Sequence, residues 1–141
     1  MAKELASEGK IEKIIEVLKT YLNHLSNRDY IKFDEKYVKV LFYSIAMNLK
    51  NLYNIKSEFE VNRSYPDLLL IPRDSTKGYH SIMIEFKYLK KDEANLLEEK
   101  KQEAKKQIEE YSKYDEMQDI EKLNKYTVVA VVDEINVEKI D

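Results

Sequence analysis

The sequence predicts an α/β fold in which one mixed central sheet carries flanking helices. Three observations predict it. Much of the N-terminal third places apolar side chains at helical spacing, and residues 57–89 then divide into three short runs with strand character. A long stretch rich in Glu, Lys, Gln and Ala follows from Asp92, and it ends before a β-branched run from Tyr126 to Val132. The expected order is α, α, β, β, β, α, β.

Lys10 to Leu25 sets Ile11, Ile14, Ile15, Leu18, Tyr21, Leu22 and Leu25 on one apolar stripe, and Asn27, Arg28 and Asp29 break it. A second helix is expected from an N-cap at Asp34 to about Leu52. Its apolar residues Val38, Leu41, Phe42, Ile45, Ala46 and Leu49 wrap widely, so it should be largely buried. Ser57 to Asn62 alternates Phe59 and Val61 with Glu58 and Glu60, the pattern of a half-buried strand. Pro66–Pro72 and His80–Leu89 read as the second and third strands. The segment Arg73–Tyr79 between them holds turn chemistry, with Gly78 able to take positive φ. Asp92 to Met117 is strongly helix-forming. Tyr126–Val132 fits a central strand covered on both faces, and Ile135–Ile140 a short edge strand.

Composition narrows the function classes. The chain has 141 residues, 43% hydrophobic and 36% charged, with two Gly and two Pro, which fits one folded domain rather than a disordered segment. Without cysteine there is no disulfide or thiolate metal site, and two histidines argue against an ordinary zinc site. The N-terminal residues lack the apolar core of a signal peptide, and no apolar run is long enough to span a bilayer. A cytoplasmic protein without membrane contact is therefore expected. The net charge of −3 argues against a basic DNA-coating protein. It argues less against an enzyme whose bound cations supply local positive charge.

The most informative residues are Asp67, Glu85 and Lys87, three charges placed inside apolar strands. A hairpin centred near Thr76 sets Asp67 opposite Glu85. Alternation then puts Asp67, Leu69 and Ile71 on one face with Met83, Glu85 and Lys87. The opposite face carries Leu68, Leu70, Ile82, Ile84 and Phe86 and reads as core. Opposed carboxylates with Cβ atoms roughly 5 Å apart destabilise a sheet, and a cation between them reverses that sign. Mg²⁺ takes hard oxygen ligands at about 2.1 Å and keeps exchangeable waters that a phosphate can replace. Lys87 lies roughly 7 Å along the strand from Glu85, on the same face, within reach of a scissile phosphate or its attacking water. The plainer reading of all three is a set of solvent-facing charges on an edge hairpin.

Pro66-Asp67 and Glu85-Phe86-Lys87 resemble the signature elements of the PD-(D/E)xK nuclease superfamily. The resemblance implies a restriction-endonuclease-like αβββαβ core, here over 33–133, within a single domain 1–141 whose residues 1–30 form a helical extension. It also implies that Asp67 and Glu85 bind Mg²⁺ or Mn²⁺ and that Lys87 serves the nucleophile. Gln107 and Tyr111 resemble the Q-x-x-x-Y element of the exonuclease-like branch, and the i, i+4 spacing places both on one helix face. They would position substrate or the lysine. Glu35 is similar to an acidic residue that some members add to the metal shell, and it reads equally well as a carboxylate at a helix N-terminus.

The chain also resembles nuclease-like domains that follow an AAA-ATPase-like domain in prokaryotic proteins. That group carries Gly-Arg shortly before the aspartate, where this chain has Arg63-Ser64-Tyr65-Pro66. No Gly-x-x-x-x-Gly-Lys-Ser/Thr is present, so an ATPase partner, in cis or in trans, would lie elsewhere. The function implied is metal-dependent hydrolysis of DNA phosphodiester bonds. The alternative is a catalytically inactive module of the same fold that binds nucleic acid or a partner protein, and the oligomeric state is left open.

Among the remaining features, His80 is expected to be structural, and Glu98–Lys106 a solvated helix face with i, i+4 ion pairs. Most of the eleven tyrosines read as core or interface residues.

Overall fold

A computed structural model describes residues 2–25, 34–57 and 66–141. Two helices, α1 (Ala2–Glu8) and α2 (Glu12–Asn23), lead into α3 (Glu35–Ala46). Strands β1 (Tyr53–Ser57), β2 (Leu68–Pro72) and β3 (Ser81–Leu89) follow. A six-residue 3₁₀ segment then enters α4 (Leu97–Ser112), and α5 (Asp115–Gln118), β4 (Leu123–Val131) and β5 (Glu134–Ile140) complete the chain. The strands form one mixed sheet in the order β1-β2-β3-β4-β5. Only β3 and β4 run parallel, and the other neighbours are antiparallel. This is the α/β architecture of a restriction-endonuclease-like fold. Among the described residues no helix is long and apolar enough to cross a membrane.

Helix α3 starts as expected, with the Asp34 side chain accepting the Tyr37 N–H at 3.2 Å. It stops sooner than expected. A 3₁₀ turn over Met47–Leu49 replaces its last turns, and Tyr53 already lies in β1. The first strand therefore begins at Tyr53, ahead of the predicted Ser57, and residues 58–62 of that expectation lie outside the described segments. The apolar stripe of α3 runs on through Leu49 and Leu52, which hides the alternation of Tyr53 and Ile55 with Asn54 and Lys56. Within the extension expected to be helical, α1 is a separate short helix ahead of the stripe from Lys10, and Leu5 and Ala6 on it are buried.

The sheet separates two cores. On one face Leu68, Leu70, Ile82, Ile84, Phe86, Val128 and Ala130 pack with Leu5, Ile14, Leu18 and Leu22 of α1 and α2 and with Val38, Phe42 and Ile45 of α3. On the other face Leu69 and Met83 pack with Ile108 and Tyr111 of α4 and Met117 of α5. Polar contacts fix the N-terminal helices to this frame. The His80 N–H donates to the Ala6 carbonyl at 2.9 Å, and the Tyr126 hydroxyl donates to the Gly9 carbonyl. Asn124 Nδ2 lies 2.8 Å from His80 Nδ1 and also donates to the Ser81 and Lys122 carbonyls. Gly9 has φ of 70°, and a Cβ there would stand 2.5 Å from Asn124 Nδ2.

Candidate active site

Leu68 pairs with Ile84, Leu69 with Met83 and Leu70 with Ile82. Carried one step further, that register sets Asp67, just ahead of β2, across from Glu85 in β3, as the sequence predicted. Alternation sends both carboxylates and Lys87 toward the α4 face, away from the larger core. Neither acid is the solvent-facing charge of the plainer reading: Asp67 is 8% exposed and Glu85 3%.

The two carboxylates are held differently. Asp67 Oδ2 accepts the Phe86 N–H at 2.7 Å, so the side chain continues the β2–β3 ladder where the backbone of β2 leaves it. Asp67 Oδ1 accepts an ion pair from Lys39 Nζ, also at 2.7 Å. Glu85 is hydrogen-bonded to Asp67, while its Oε2 is buried with no hydrogen-bond partner among the described residues. Burial, and then the charge of Asp67, push the Glu85 carboxyl up to about 9 against the opposing pull of Lys87 and Lys39. Glu85 thus favours its protonated form at neutral pH.

Lys39 is a site residue that the sequence reading missed. Burial alone would lower its ammonium, but the hydrogen bond to Asp67 and the charges of Asp67, Glu35 and Glu85 prevail and raise it. The available signal was its i, i+4 spacing from Glu35, which puts both on one face of α3. Glu35 itself follows the N-cap Asp34, and its Oε1 is buried without a hydrogen-bond partner among the described residues.

From the other side, α4 presents Glu103, Gln107 and Tyr111 at successive i, i+4 positions. Lys87 Nζ lies 3.6 Å from Glu103 Oε1, and Lys100 Nζ lies 3.1 Å from Glu103 Oε2. The Lys100 hydrogen bond, with help from Lys87, holds the Glu103 carboxyl below its ordinary value. Glu103 was also missed, although it stands one turn before Gln107. Gln107 Oε1 is buried and has no hydrogen-bond partner among the described residues. Burial, then the charges of Glu85 and Asp67, raise the Tyr111 hydroxyl, which keeps it neutral beside the carboxylates. The structure therefore brings Asp67, Glu85, Lys87, Gln107 and Tyr111 to one face of the sheet, and Glu35 approaches from the neighbouring helix.

These residues suit a hard divalent cation. Among the described residues no three His, Asp or Glu side chains gather closely enough to hold a metal by themselves, so Glu35 does not complete a three-carboxylate cage. Asp67 and Glu85 nevertheless offer oxygen donors, and a buried carboxylate oxygen without a partner is costly unless something bonds to it. With few protein ligands, water and phosphate oxygens complete the shell of an ion such as Mg²⁺.

No curated protein and no solved structure matches the chain. A family model described as PD-(D/E)XK nuclease superfamily matches residues 33–140, which takes in α3 through β5 and every site residue named above. Fold, register and match agree, and the chain belongs to the PD-(D/E)XK nuclease superfamily.

Proposed function

We propose that the chain is a metal-dependent nuclease that hydrolyses DNA phosphodiester bonds. Nuclease-type chemistry follows from the superfamily, whose members generally use divalent metal ions. One observation carries the more specific reading. The Glu85 carboxyl is buried in the sheet, hydrogen-bonded to Asp67 on one side and, among the described residues, without a hydrogen-bond partner at Oε2. A purely structural strand has no use for that arrangement, since an apolar residue would fill the position without the desolvation cost.

Asp67 and Glu85 would hold Mg²⁺ or Mn²⁺, with Glu35 contributing through the outer shell. The ion would polarise a phosphoryl oxygen and acidify the attacking water. Lys87 would orient that water and carry positive charge toward the phosphate, where charge grows in the transition state. Gln107 would bind a phosphate-side donor or the lysine through its unpartnered carbonyl oxygen, and the neutral Tyr111 hydroxyl would position the same group. The i, i+4 pair on α4 supports the exonuclease-like branch. An AAA-type ATPase partner remains part of this reading through the resemblance alone.

The test is incubation of the purified protein with linear, circular and single-stranded DNA, with Mg²⁺, Mn²⁺ or EDTA, beside a Lys87→Ala control. Metal-dependent cleavage absent from the control supports the nuclease. A second reading, a non-catalytic module that binds nucleic acid or a partner, draws on the Lys87–Glu103 pair, which engages the lysine, and on the net charge of −3. Binding of DNA without cleavage under every metal condition favours it.

A further inference from the structure

Asp67 has two oxygens and both are used. Oδ2 accepts the Phe86 N–H at 2.7 Å, a bond fixed by the strand backbone. Oδ1 accepts Lys39 Nζ at 2.7 Å, a bond to the end of a flexible side chain. A divalent cation must approach within about 2.1 Å of a carboxylate oxygen. At that distance it would stand beside the lysine ammonium, and two cations on one oxygen repel. The backbone donor cannot leave without breaking the sheet edge, whereas Lys39 can. Its side chain is 31% exposed, against 5% for that of Asp67, so solvent lies open to it.

We propose that Lys39 is an internal counter-cation of the candidate site, one that a divalent ion displaces from Asp67 when it binds. The inference rests on the metal-dependent reading above and adds to it a residue from α3. Lys39 holds Asp67 oriented inside the apolar frame, which the site needs before a metal arrives. It also sets the metal affinity, because every binding event must first release the ammonium. Lys87, tied to Glu103 from the opposite side, is not part of this exchange.

The experiment measures Mn²⁺ affinity by calorimetry or electron paramagnetic resonance for the full chain, Lys39→Met and Lys100→Met. The methionine keeps the length of the side chain and removes its charge. Lys100 serves as the control because it lies near the site yet pairs with Glu103 rather than Asp67. Tenfold or greater tightening in K39M, with a much smaller change in K100M, is the expected result. Equal tightening in both variants would reduce Lys39 to one more positive charge and overturn the exchange. Unchanged or weakened binding in K39M would overturn it too, while leaving the metal reading standing.

A second measurement needs no variant. Amine-specific acylation of the wild-type protein, read by mass spectrometry, should show Lys39 protected without metal and several-fold more reactive with saturating Mg²⁺. Reactivity unchanged by bound metal sinks the proposal even if K39M fails to fold. If neither wild type nor K39M binds any divalent ion, the metal-dependent reading falls and takes this inference with it.

Discussion

Lys87 Nζ lies 3.6 Å from Glu103 Oε1 on α4, so the strand lysine is tethered across the site rather than paired with the carboxylates beside it. A tether of this kind fixes the direction of a long side chain at little energetic gain, since Glu103 is 44% exposed. Glu103→Gln is expected to change the melting temperature by no more than a degree or two. The same change should lower kcat for DNA cleavage about tenfold with KM nearly constant, because an unheld lysine samples other rotamers. An unaltered kcat would show that the tether plays no part in positioning.

Glu85 sets a pH signature. Its folded value, near 9, lies above the ordinary carboxylate value of 4.5, so between those limits the unfolded chain loses a proton that the folded chain keeps. Stability without metal is therefore greatest below pH 4.5 as far as this group is concerned. It then falls as pH rises toward 9, by at most about 1.4 kcal/mol per unit. Glu85→Gln, which imitates the protonated acid, should flatten that slope and raise metal-free stability at pH 8. Denaturant melts from pH 5 to 9 in EDTA would show it, and an identical slope in both proteins would refute the assignment.

Metal should reverse the trend. A divalent ion needs Glu85 deprotonated, so binding expels a proton and tightens with pH. Added Mn²⁺ should raise the melting temperature more at pH 8 than at pH 6, by mass action on the folded state. Asp67→Asn should abolish that shift. It should also cost about 1–3 kcal/mol on its own account, by leaving Lys39 facing a neutral amide.

Gln107 separates function from stability. Its buried Oε1 has no hydrogen-bond partner among the described residues, so Gln107→Leu removes a desolvated polar atom and should leave folding unchanged or slightly improved. Cleavage should nevertheless fall tenfold or more. Full activity in the stable variant would return Gln107 to the role of a packing residue.

Much of this was legible in the sequence, and the misses have physical causes. The Asp67–Glu85 register followed from one turn and a two-residue period, both local properties of a hairpin. Gln107 and Tyr111 share a face because the helical repeat makes them do so. The start of β1 was hidden because Leu49 and Leu52 prolong a helical stripe that the backbone abandons at Ala46. Helix α1 has only Leu5 and Ala6 to bury, too few for a periodic signal. Lys39 and Glu103 were missed for another reason. Each meets its partner across the fold, Asp67 for one and Lys87 for the other, and the helix face it shares with Glu35 or Gln107 does not name that partner.

The latch at Gly9 bears on how the protein can be handled. The family match begins at residue 33, yet Leu5, Ile14, Leu18 and Leu22 lie over the same apolar sheet face as Phe42 and Phe86. A fragment cut at the family boundary would keep α3 but lose the part of that cover that α1 and α2 supply, exposing apolar surface prone to self-association. The segment that the family model matches is narrower than the segment that shares this core. Libraries, truncations and fusions designed on the family boundary alone would divide one hydrophobic core in two.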